Sequence, residues 1–397
     1  MIVMIKKISF RLLLACLLLS ATAVSRAGIV TVRILTTKVI STFIFSPSAG
    51  SYKLYGDGRL ISDSVDASAI YQMSIAGDSI LLKTFEKTVG KFYSISAFYQ
   101  EPNSAFKIKS VVPESKVRIY DDNITIQLTP DKKQFLLINK VDLEKYISGV
   151  VESESGTRTS LEYYKLQSIL CRTYLLANIN RHVLEGFEVC DDVHCQAYLS
   201  KNKEQEITRA VSETKGLVVV DNDLNLITAA FHSNCGGQTV NSQDVWSIAT
   251  SYLKSVKDTF CLKQPHAKWQ RSIPMEDWKA YLQLKHKYPV DDSLKMNTAT
   301  SFNQNYGRSV YFTDKDLRIP LKVIRSDFQL KSTYFSVEQQ GDNIVFRGRG
   351  YGHGVGLCQE GAMRMADLKY SYKSILSFYY RDVHLVDLSA LNYFKQE

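Results

Sequence analysis

The sequence predicts an α+β protein in which a β-rich N-terminal region precedes a mixed helical and β domain. Short alternating apolar segments fill the chain from Gly28 to about Lys140, and two helical patterns follow directly. Strand and helix patterns then continue toward the C-terminus. With 397 residues, 45% of them hydrophobic, the chain can form two or three domains with a substantial core.

Residues 1–27 are typical of a secretory signal peptide. Basic side chains between positions 6 and 11 precede an apolar run at 12–19, and Ala27 offers a cleavage point. We therefore expect an exported protein, periplasmic or cell-wall associated. No later run is long and apolar enough to span a bilayer, so we expect no transmembrane segment in the mature chain.

The mature chain has a mild positive charge. Residues 1–27 hold four basic side chains and no acid, so the formal net charge of +9 becomes +5 for the rest of the chain. This excess suits an anionic polymer such as cell wall. No Lys/Arg cluster with interleaved aromatic residues is present, which argues against a nucleic-acid partner.

The N-terminal region alternates apolar and polar residues in short bursts that are typical of strands. It contains no histidine or cysteine, so we assign it no chemistry. The expected boundary near Lys140 gives a β-rich region at 28–140 and a second domain at 141–397. We predict strands near positions 31, 52, 79, 91 and 106, and a hairpin over 116–128 that turns at 121–123.

The second domain alternates helical and strand-like patterns, with a less patterned segment at about 270–335. Helix and strand periodicities differ enough to separate the longer elements. We predict helices at 275–287 and 372–379, and strands at 311–313, 321–324, 334–337 and 384–388.

Two predicted helices flank Glu154. Apolar residues recur at helical spacing from Leu143 to Val151, directly after Asp142, a favourable N-cap residue. Glu154 continues this apolar stripe, whereas Glu152 lies off it. A carboxyl on the buried side of a helix end loses hydration, which moves its pKa toward the range of a general acid.

Arg172 lies on the second helix, which is predicted to follow a break at Gly156, with Thr159 and Glu162 at capping-box spacing. Apolar neighbours lead us to expect a half-buried guanidinium, and a buried arginine usually needs an anion. Glu154 is one candidate partner and a substrate carboxylate is another. The plainer interpretation is a structural ion pair between Glu154 and Arg172.

Cys190, His194 and Cys195, with His182 eight residues before the first of them, bring soft metal ligands together. Two thiolates with one or two imidazoles can fill a tetrahedral zinc shell. Spacing alone leaves zinc open against a Cys190–Cys195 disulfide or two plain thiols.

The string FHSNCGGQT follows an apolar strand and contains the paired glycines Gly236 and Gly237. Gly236 and Gly237 allow the backbone to approach a ligand closely. Cys235 is a candidate nucleophile with His232, and also a candidate disulfide partner of Cys261. The plainer interpretation of His232 is a hydrogen-bonded core histidine.

The string GRGYGHGVGLCQEGA, beginning at Gly348, is the most specific motif in the sequence. Its glycines leave backbone amides accessible and bring His353 and Gln359 close to a ligand. It lacks the GK[ST] ending of a phosphate-binding loop. A structural glycine turn is the plainer interpretation.

These segments together resemble the SpoIID/LytB family of bacterial cell-wall proteins. The matching forms are YL-x-GVV-x-SE with a following RTY, S-x-S-GG-x-T and GHGVG-x-SQ-x-GA, and they run in order from about Asp142 to Asp387. The chain departs from the family at Ser155, where Met-Pro usually follows the acid. It also departs at Cys235 and Cys358, where the family has serine.

The resemblance implies a peptidoglycan lytic transglycosylase that cleaves glycan strands and leaves anhydro-muramyl ends. Glu154 would be its single acid/base, so catalysis requires no cofactor. Arg172 would anchor an N-acetyl or lactyl group of the substrate. The substrate-binding residues implied by the motifs are Tyr198, Ser233, Gly236, Gly237, His353 and Gln359.

The CD-x-x-HCQ-x-Y form around Cys190 also matches the family, whose clostridial members hold zinc near this point. The resemblance therefore implies a structural zinc ion held by Cys190, His194, Cys195 and His182. Four protein ligands leave no open position, so such an ion would shape the protein and not activate water.

Two other functions stay open at this point. One is a non-catalytic wall-binding protein that stimulates a cell-wall amidase, as LytB-like members are thought to do. The other is a thiol hydrolase that uses Cys235 or Cys358.

Overall fold

The computed structural model describes residues 28–312 and 317–394, with side chains to Leu391. The predicted signal peptide at 1–27 lies outside the described residues. Strands dominate from Ile29 to Asp142, and helices and strands are mixed after that. The predicted α+β class with a β-rich N-terminal region is confirmed.

The chain forms two compact units. The first contains the residues up to Ser153 together with Ile179–Asn202, and the second contains Glu154–Asn178 and the chain from Lys203 onward. The division therefore falls further along the chain than the expected boundary near Lys140.

Two β-sheets make up most of the first unit. One has the strand order β13-β1-β12-β11-β8-β3-β4 and the other β10-β9-β2-β5-β6-β7, all antiparallel except for the parallel pair β1 and β13. The strands are β1 (Ile29–Ile34), β2 (Thr42–Ala49), β3 (Tyr52–Gly56), β4 (Arg59–Val65), β5 (Tyr71–Ala76), β6 (Ser79–Lys83), β7 (Thr88–Phe92), β8 (Ser94–Tyr99), β9 (Ala105–Val112), β10 (Arg118–Asp121), β11 (Asn123–Leu128), β12 (Phe135–Asp142) and β13 (Val189–Cys190).

Alternating apolar residues bring the two sheets face to face. Phe43 and Phe45 of β2 are fully buried, as are Ile124 and Ile126 of β11 in the other sheet. The ring of Phe45 lies 6.4 Å, centroid to centroid, from that of Tyr52 in β3. The buried faces therefore form the core of a β-sandwich.

The hairpin predicted over 116–128 is wrong. β10 pairs with β9, whereas β11 pairs with β12 and β8, so the two strands belong to different sheets. The chain passes between the sheets through Asp122, whose φ is +66°. Alternation predicted both strands but not their partners, because pairing depends on burial against residues far away in the chain.

The second unit combines helices with a three-stranded antiparallel sheet of order β16-β20-β19. The helix α1 (Leu143–Ser155) contains the division between the units, and a short 3₁₀ turn (Val183–Glu185) belongs to the first. The remaining elements are α2 (Leu161–Ala177), α3 (Gln205–Glu213), β14 (Leu217–Val220), β15 (Phe231–His232), α4 (Ser242–Trp246), β16 (Lys268–Pro274), α5 (Met275–His286), α6 (Ser293–Thr300), β17 (Tyr311–Phe312), β18 (Ile319–Pro320), α7 (Leu321–Asp327), β19 (Phe335–Gln340), β20 (Asn343–Arg349), β21 (Leu357–Cys358), α8 (Gln359–Asp367), α9 (Tyr372–Tyr379), β22 (His384–Asp387) and α10 (Leu388–Phe394).

The elements predicted in this part of the chain are mostly confirmed. The helices predicted at 275–287 and 372–379 correspond to α5 and α9, and the strand at 384–388 to β22. The strand predicted at 321–324 is wrong, because these residues begin the helix α7. Leu321 and Ile324 are both buried, and a three-residue spacing places them on one helix face.

Trp278 of α5 lies at the centre of a hydrophobic core in the second unit. It is fully buried, and its ring centroid lies 5.4 to 5.7 Å from those of Phe312, Phe328 and Phe346. Phe346 belongs to β20, the strand that leads into the glycine-rich motif. This core therefore supports one end of the candidate site.

Candidate functional site

The helix α1 places Glu154 in its last turn. The Asp142 carboxylate caps the helix, since Oδ1 accepts hydrogen bonds from the N–H groups of Glu144 at 2.9 Å and Lys145 at 3.1 Å. Apolar residues between Tyr146 and Val151 are fully buried, as the periodicity predicts. Packing of this stripe fixes the direction in which the end of the helix points.

Glu154 is half-buried, and so is Glu152, so burial does not separate these two acids. A contact with a second motif does distinguish position 154. The side-chain amide of Gln359 donates from Nε2 to the backbone carbonyl of Glu154 at 3.4 Å. The first and third sequence motifs therefore meet at Glu154.

The start of α2 differs from the predicted capping box. The helix begins at Leu161 with Ser160 as its N-cap residue. The Glu162 carboxylate accepts from the N–H of Tyr372 at 2.8 Å and pairs with Lys165 at 3.1 Å. Thr159 Oγ1 is buried without a hydrogen-bond partner in the described part of the chain. The predicted capping box is wrong, because the Glu162 carboxylate contacts the start of α9 and Lys165 of its own helix.

Arg172 is fully buried, whereas the sequence led us to expect a half-buried cation. Among its contacts, Nη1 donates to the carbonyl of Leu217 in β14 at 3.0 Å. Its neighbour Thr173 accepts from the N–H of Val219 at 3.0 Å. Arg172 therefore helps join α2 to β14, and its guanidinium has no exposed surface in this conformation.

The second and third motifs pair with each other. β15 and β21 are parallel neighbours, with Phe231 opposite Leu357 and His232 opposite Cys358. Beyond them, the N–H of Glu360 donates to the carbonyl of Ser233 at 3.0 Å. Ser233 therefore lies beside the start of α8, where Gln359 contacts Glu154.

The glycines of the third motif allow this close approach. Gly356 has φ +70°, and a Cβ added there would lie 2.2 Å from the carbonyl oxygen of Ala230. Gly350 has φ +78°, and its Cβ would lie 2.5 Å from the carbonyl oxygen of Asn234. A side chain at either position would push the two motifs apart.

His353 is bound to backbone at both ring nitrogens. Nε2 donates to the carbonyl of Phe231 at 2.9 Å, and Nδ1 accepts from the N–H of Val355 at 3.1 Å. These partners fix the neutral tautomer. Burial lowers the pKa of His353 to about 4, with nearby arginine charges acting in the same direction. His353 therefore holds the glycine-rich loop against β15.

His232 is buried, and its Nδ1 donates to the carbonyl of Val355 at 3.1 Å. Burial lowers the pKa of His232 well below its usual value, with His353 and Arg308 adding to the effect. Burial also raises the pKa of the Cys235 thiol well above its usual value. Cys235 and Cys358 are both fully buried, and an enclosed thiol has no surface for a substrate, so this geometry disfavours a thiol hydrolase.

Tyr198 belongs to the first unit and is fully buried. Its hydroxyl donates to Asn139 Oδ1 at 3.3 Å, and its ring lies 4.9 Å from that of Tyr146. A Cβ on Gly149 would lie 2.5 Å from the Tyr198 ring. In this conformation the ring therefore packs against α1 and has no surface for a ligand.

His182, Cys190, His194 and Cys195 form a cluster in the first unit, with their ligand atoms within 4.8 Å of one another. Cys195 Sγ lies 3.5 Å from His182 Nε2 and 3.8 Å from His194 Nδ1. Glu185 Oε1 lies 2.5 Å from His182 Nδ1, as a carboxylate behind a zinc-bound histidine does. The donor set and its spacing fit a tetrahedral zinc ion.

The comparisons with known proteins agree with the motifs. A family model described as Stage II sporulation protein, SpoIID, matches residues 131–220. Over 271 residues the chain is 30% identical to Stage II sporulation protein D of Bacillus amyloliquefaciens, covering 64% of this chain and 76% of that protein. The chain belongs to the SpoIID family. The chain is also 29% identical, over 270 residues, to Stage II sporulation protein D of Bacillus subtilis, a match that covers 64% of this chain and 77% of that protein.

A further relative of this SpoIID-family chain is named Amidase enhancer, from Bacillus subtilis. The two are 29% identical over 286 residues, which is 59% of this chain and 39% of the longer relative. Within the described ranges, no helix has both the length and the apolar character needed to cross a membrane.

Two residues that hold the SpoIID motifs in place, Arg308 and Glu360, were not predicted from the sequence. Arg308 donates from Nη1 to the carbonyls of Cys235 at 3.2 Å and Gln238 at 2.9 Å, but it lies in the less patterned segment, where no local signal marks it. Glu360 joins Asn234 Nδ2 and His266 Nδ1, each at 2.6 Å. The signal that could have found Glu360 was a charged residue inside the glycine-rich motif, directly after Gln359.

Proposed function

We propose that the protein is a peptidoglycan lytic transglycosylase in which Glu154 acts first as general acid and then as general base. The proton of Glu154 passes to the bridging glycosidic oxygen as the bond from C1 breaks. The carboxylate then takes the proton of the muramic C6 hydroxyl as O6 bonds to C1, which closes an anhydro ring. The acid recovers its proton and no water is consumed, so one carboxyl suffices.

The observation that carries this proposal is the contact of Gln359, in the third motif, with the backbone of Glu154 in the first. Glu154 is half-buried at a helix end, where a general acid can contact substrate and still lose part of its hydration. Gln359 contacts its backbone, and Ser233 lies beside the start of α8. Membership in the SpoIID family supports a role in cell-wall metabolism.

We assign the substrate contacts to the accessible parts of these motifs. Ser233 and Gly237 are partly exposed, and the Ser233 carbonyl contacts the start of α8. Gly236 is buried close to the backbone of Arg349, so it would shape this loop and not contact the glycan. Gln359 would orient the end of α1 and the glycan together. Arg172 and His353 act as positioning residues, since the first is fully buried and the second is bound to backbone at both nitrogens.

A structural zinc ion is part of the proposal for the first unit. His182, Cys190, His194 and Cys195 would hold it and would fill all four positions of a tetrahedral ion. The site would stabilise the segment 182–195 and take no part in proton transfer. Export to the cell wall, inferred from the signal sequence, completes the proposal.

The test compares two matched variants on glycan strands from which the stem peptides have been removed. Glu154→Gln keeps the shape of the side chain but removes the transferable proton, so we expect the release of anhydro-muramyl products to fall by roughly 10²-fold to 10⁴-fold. Glu152→Gln, on the same helix end and equally half-buried, should retain near wild-type activity. Equal loss in both variants would contradict the assignment of Glu154.

A second function is favoured by the relative named Amidase enhancer. A non-catalytic protein that stimulates a cell-wall amidase needs binding surfaces but not the Glu154 proton. If the protein has this second function, the purified protein alone should release no glycan products, and Glu154→Gln should stimulate the amidase as well as wild type does. Glu154→Gln therefore separates this function from the first one.

A further inference from the structure

A second cluster of metal-ligand side chains lies in the second unit, apart from the His182 site. Cys235, Asp258, Cys261 and Cys358 are all fully buried, and their ligand atoms lie within 4.8 Å of one another. We call these four residues the Cys/Asp cluster. They come from three separate segments, of which two carry the sequence motifs SNCGG and GHGVGLC.

The spacing of the cluster is close to that of a tetrahedral zinc site. Cys235 Sγ lies 3.4 Å from Cys261 Sγ and 3.3 Å from Asp258 Oδ2. Zinc bonds near 2.3 Å to sulfur and 2.0 Å to oxygen place neighbouring sulfurs about 3.8 Å apart and a sulfur and an oxygen about 3.5 Å apart. These two pairs of ligand atoms would need to move apart by only a few tenths of an ångström, and all four ligand atoms lie within 4.8 Å of one another.

The surroundings resemble those that hold metal ligands in place. The N–H of Cys235 donates to Cys358 Sγ at 3.2 Å. Asp258 accepts from the N–H of Phe260 and from the hydroxyl of Tyr379, each at 2.9 Å. Such second contacts orient thiolate and carboxylate ligands. Arg308, which donates to the carbonyl of Cys235, places a positive charge near a site that would be anionic when filled.

We propose that the Cys/Asp cluster is a structural zinc site that joins the SNCGG loop to the end of the glycine-rich motif. Three thiolates and one carboxylate fill the tetrahedral positions of the ion, so it activates no water. Binding releases the thiol protons to solvent. This proposal does not depend on the transglycosylase activity.

A Cys235–Cys261 disulfide is the competing explanation, because the two sulfurs are close enough to bond after a small movement. A disulfide would use two of the four groups and leave the Cys358 thiol and the Asp258 carboxylate enclosed beside it. Zinc uses all four. Cys235 and Cys358, the two cysteines that replace family serines, meet in this one cluster, which a shared metal explains and a Cys235–Cys261 disulfide does not.

The test measures zinc in the full chain with the first site removed. Cys190→Ser/Cys195→Ser disables the His182 site, so after reconstitution with zinc and dialysis we expect about one zinc per chain to remain. X-ray absorption at the zinc edge should give about three sulfur neighbours near 2.3 Å and one oxygen. Adding Cys235→Ser/Cys358→Ser should remove this zinc, and circular dichroism checks that each variant is folded.

Should the Cys190→Ser/Cys195→Ser protein fail to fold, Cys358→Ser is compared with wild type instead. Loss of one zinc per chain supports the site, and unchanged zinc content overturns it. Folded Cys190→Ser/Cys195→Ser protein without zinc also overturns the proposal. So does a Cys235–Cys261 linkage found by peptide mass spectrometry under non-reducing conditions in zinc-reconstituted protein.

Discussion

Glu152 and Glu154 lie two positions apart at the end of one helix, and burial alone does not show which of them is the catalytic acid. Both residues are half-buried. The contact from Gln359 fixes the backbone of Glu154 to the glycine-rich motif. Helical periodicity singled out Glu154 in the sequence, but the partner that holds it lies 205 positions away and has no local signature.

His353 shows a second limit of sequence reasoning at the scale of one residue. The motif predicted a ligand contact, whereas the ring is engaged with the backbone of Phe231 and Val355. A histidine inside a glycine-rich string can contact a ligand or hold the loop against neighbouring backbone, because glycines allow the close backbone approach that each role requires. Only the positions of the two backbone partners decide between them.

The buried neutral state of His353 predicts acid sensitivity. The unfolded chain binds a proton as the pH falls below about 6.5, whereas the folded protein resists protonation of His353 until about pH 4. Stability from this group is therefore full above pH 6.5 and is lost as the pH falls toward 4. His353→Gln, which can keep one donor and one acceptor, should reduce the loss of stability between pH 7 and pH 5.

Urea unfolding at pH 7 and pH 5 measures this effect. The exposed His384 supplies the control, and His384→Gln should leave the wild-type pH dependence in place. Some dependence should persist in His353→Gln, because burial lowers the pKa of His232 in the same direction. A pH dependence in His353→Gln equal to that of wild type would contradict the linkage.

At the scale of elements, the longest periodic segments were predicted well and the pairing of elements was not. Helices α5 and α9 follow from apolar spacing alone, since each buries one face. The same spacing predicted α1, although α1 buries all six residues from Tyr146 to Val151. The hairpin at 116–128 failed because two adjacent strands entered different sheets. The strand predicted at 321–324 is wrong because a segment of only four residues, LKVI, fits both the strand period and the helix period.

The pairing of β15 with β21 gives a prediction for the glycine-rich motif. Gly356→Ala combines a left-handed φ with a clash against the Ala230 carbonyl, so it should lower the free energy of unfolding by roughly 2–4 kcal/mol. Gly341→Ala is the matched control, because Gly341 also has positive φ, +58°, but open space around the added Cβ. It should cost about 1 kcal/mol.

Denaturant unfolding of the two variants supplies the measurement. The larger effect in Gly356→Ala would confirm that close approach, and not backbone strain alone, selects glycine there. Equal effects in the two variants would mean that β15 and β21 can separate without cost.

At the scale of the whole molecule, the order of the motifs along the chain indicated the family. That order did not predict which segments belong to which of the two units. The division into units falls inside α1, and the segment Ile179–Asn202 returns to the first unit. A composition change near Lys140 could not reveal this, because the returning segment is held by contacts such as Arg118 with Asp191 at 3.0 Å. Such contacts join residues 73 positions apart.

The central claim is that one carboxyl cleaves the glycan without consuming water. The most direct measurement is mass spectrometry of products formed from stem-peptide-free glycan strands in water enriched in ¹⁸O. Our account predicts anhydro-muramyl ends without ¹⁸O, formed by wild type and lost in Glu154→Gln. Reducing ends that carry ¹⁸O would mean hydrolysis and would contradict the account.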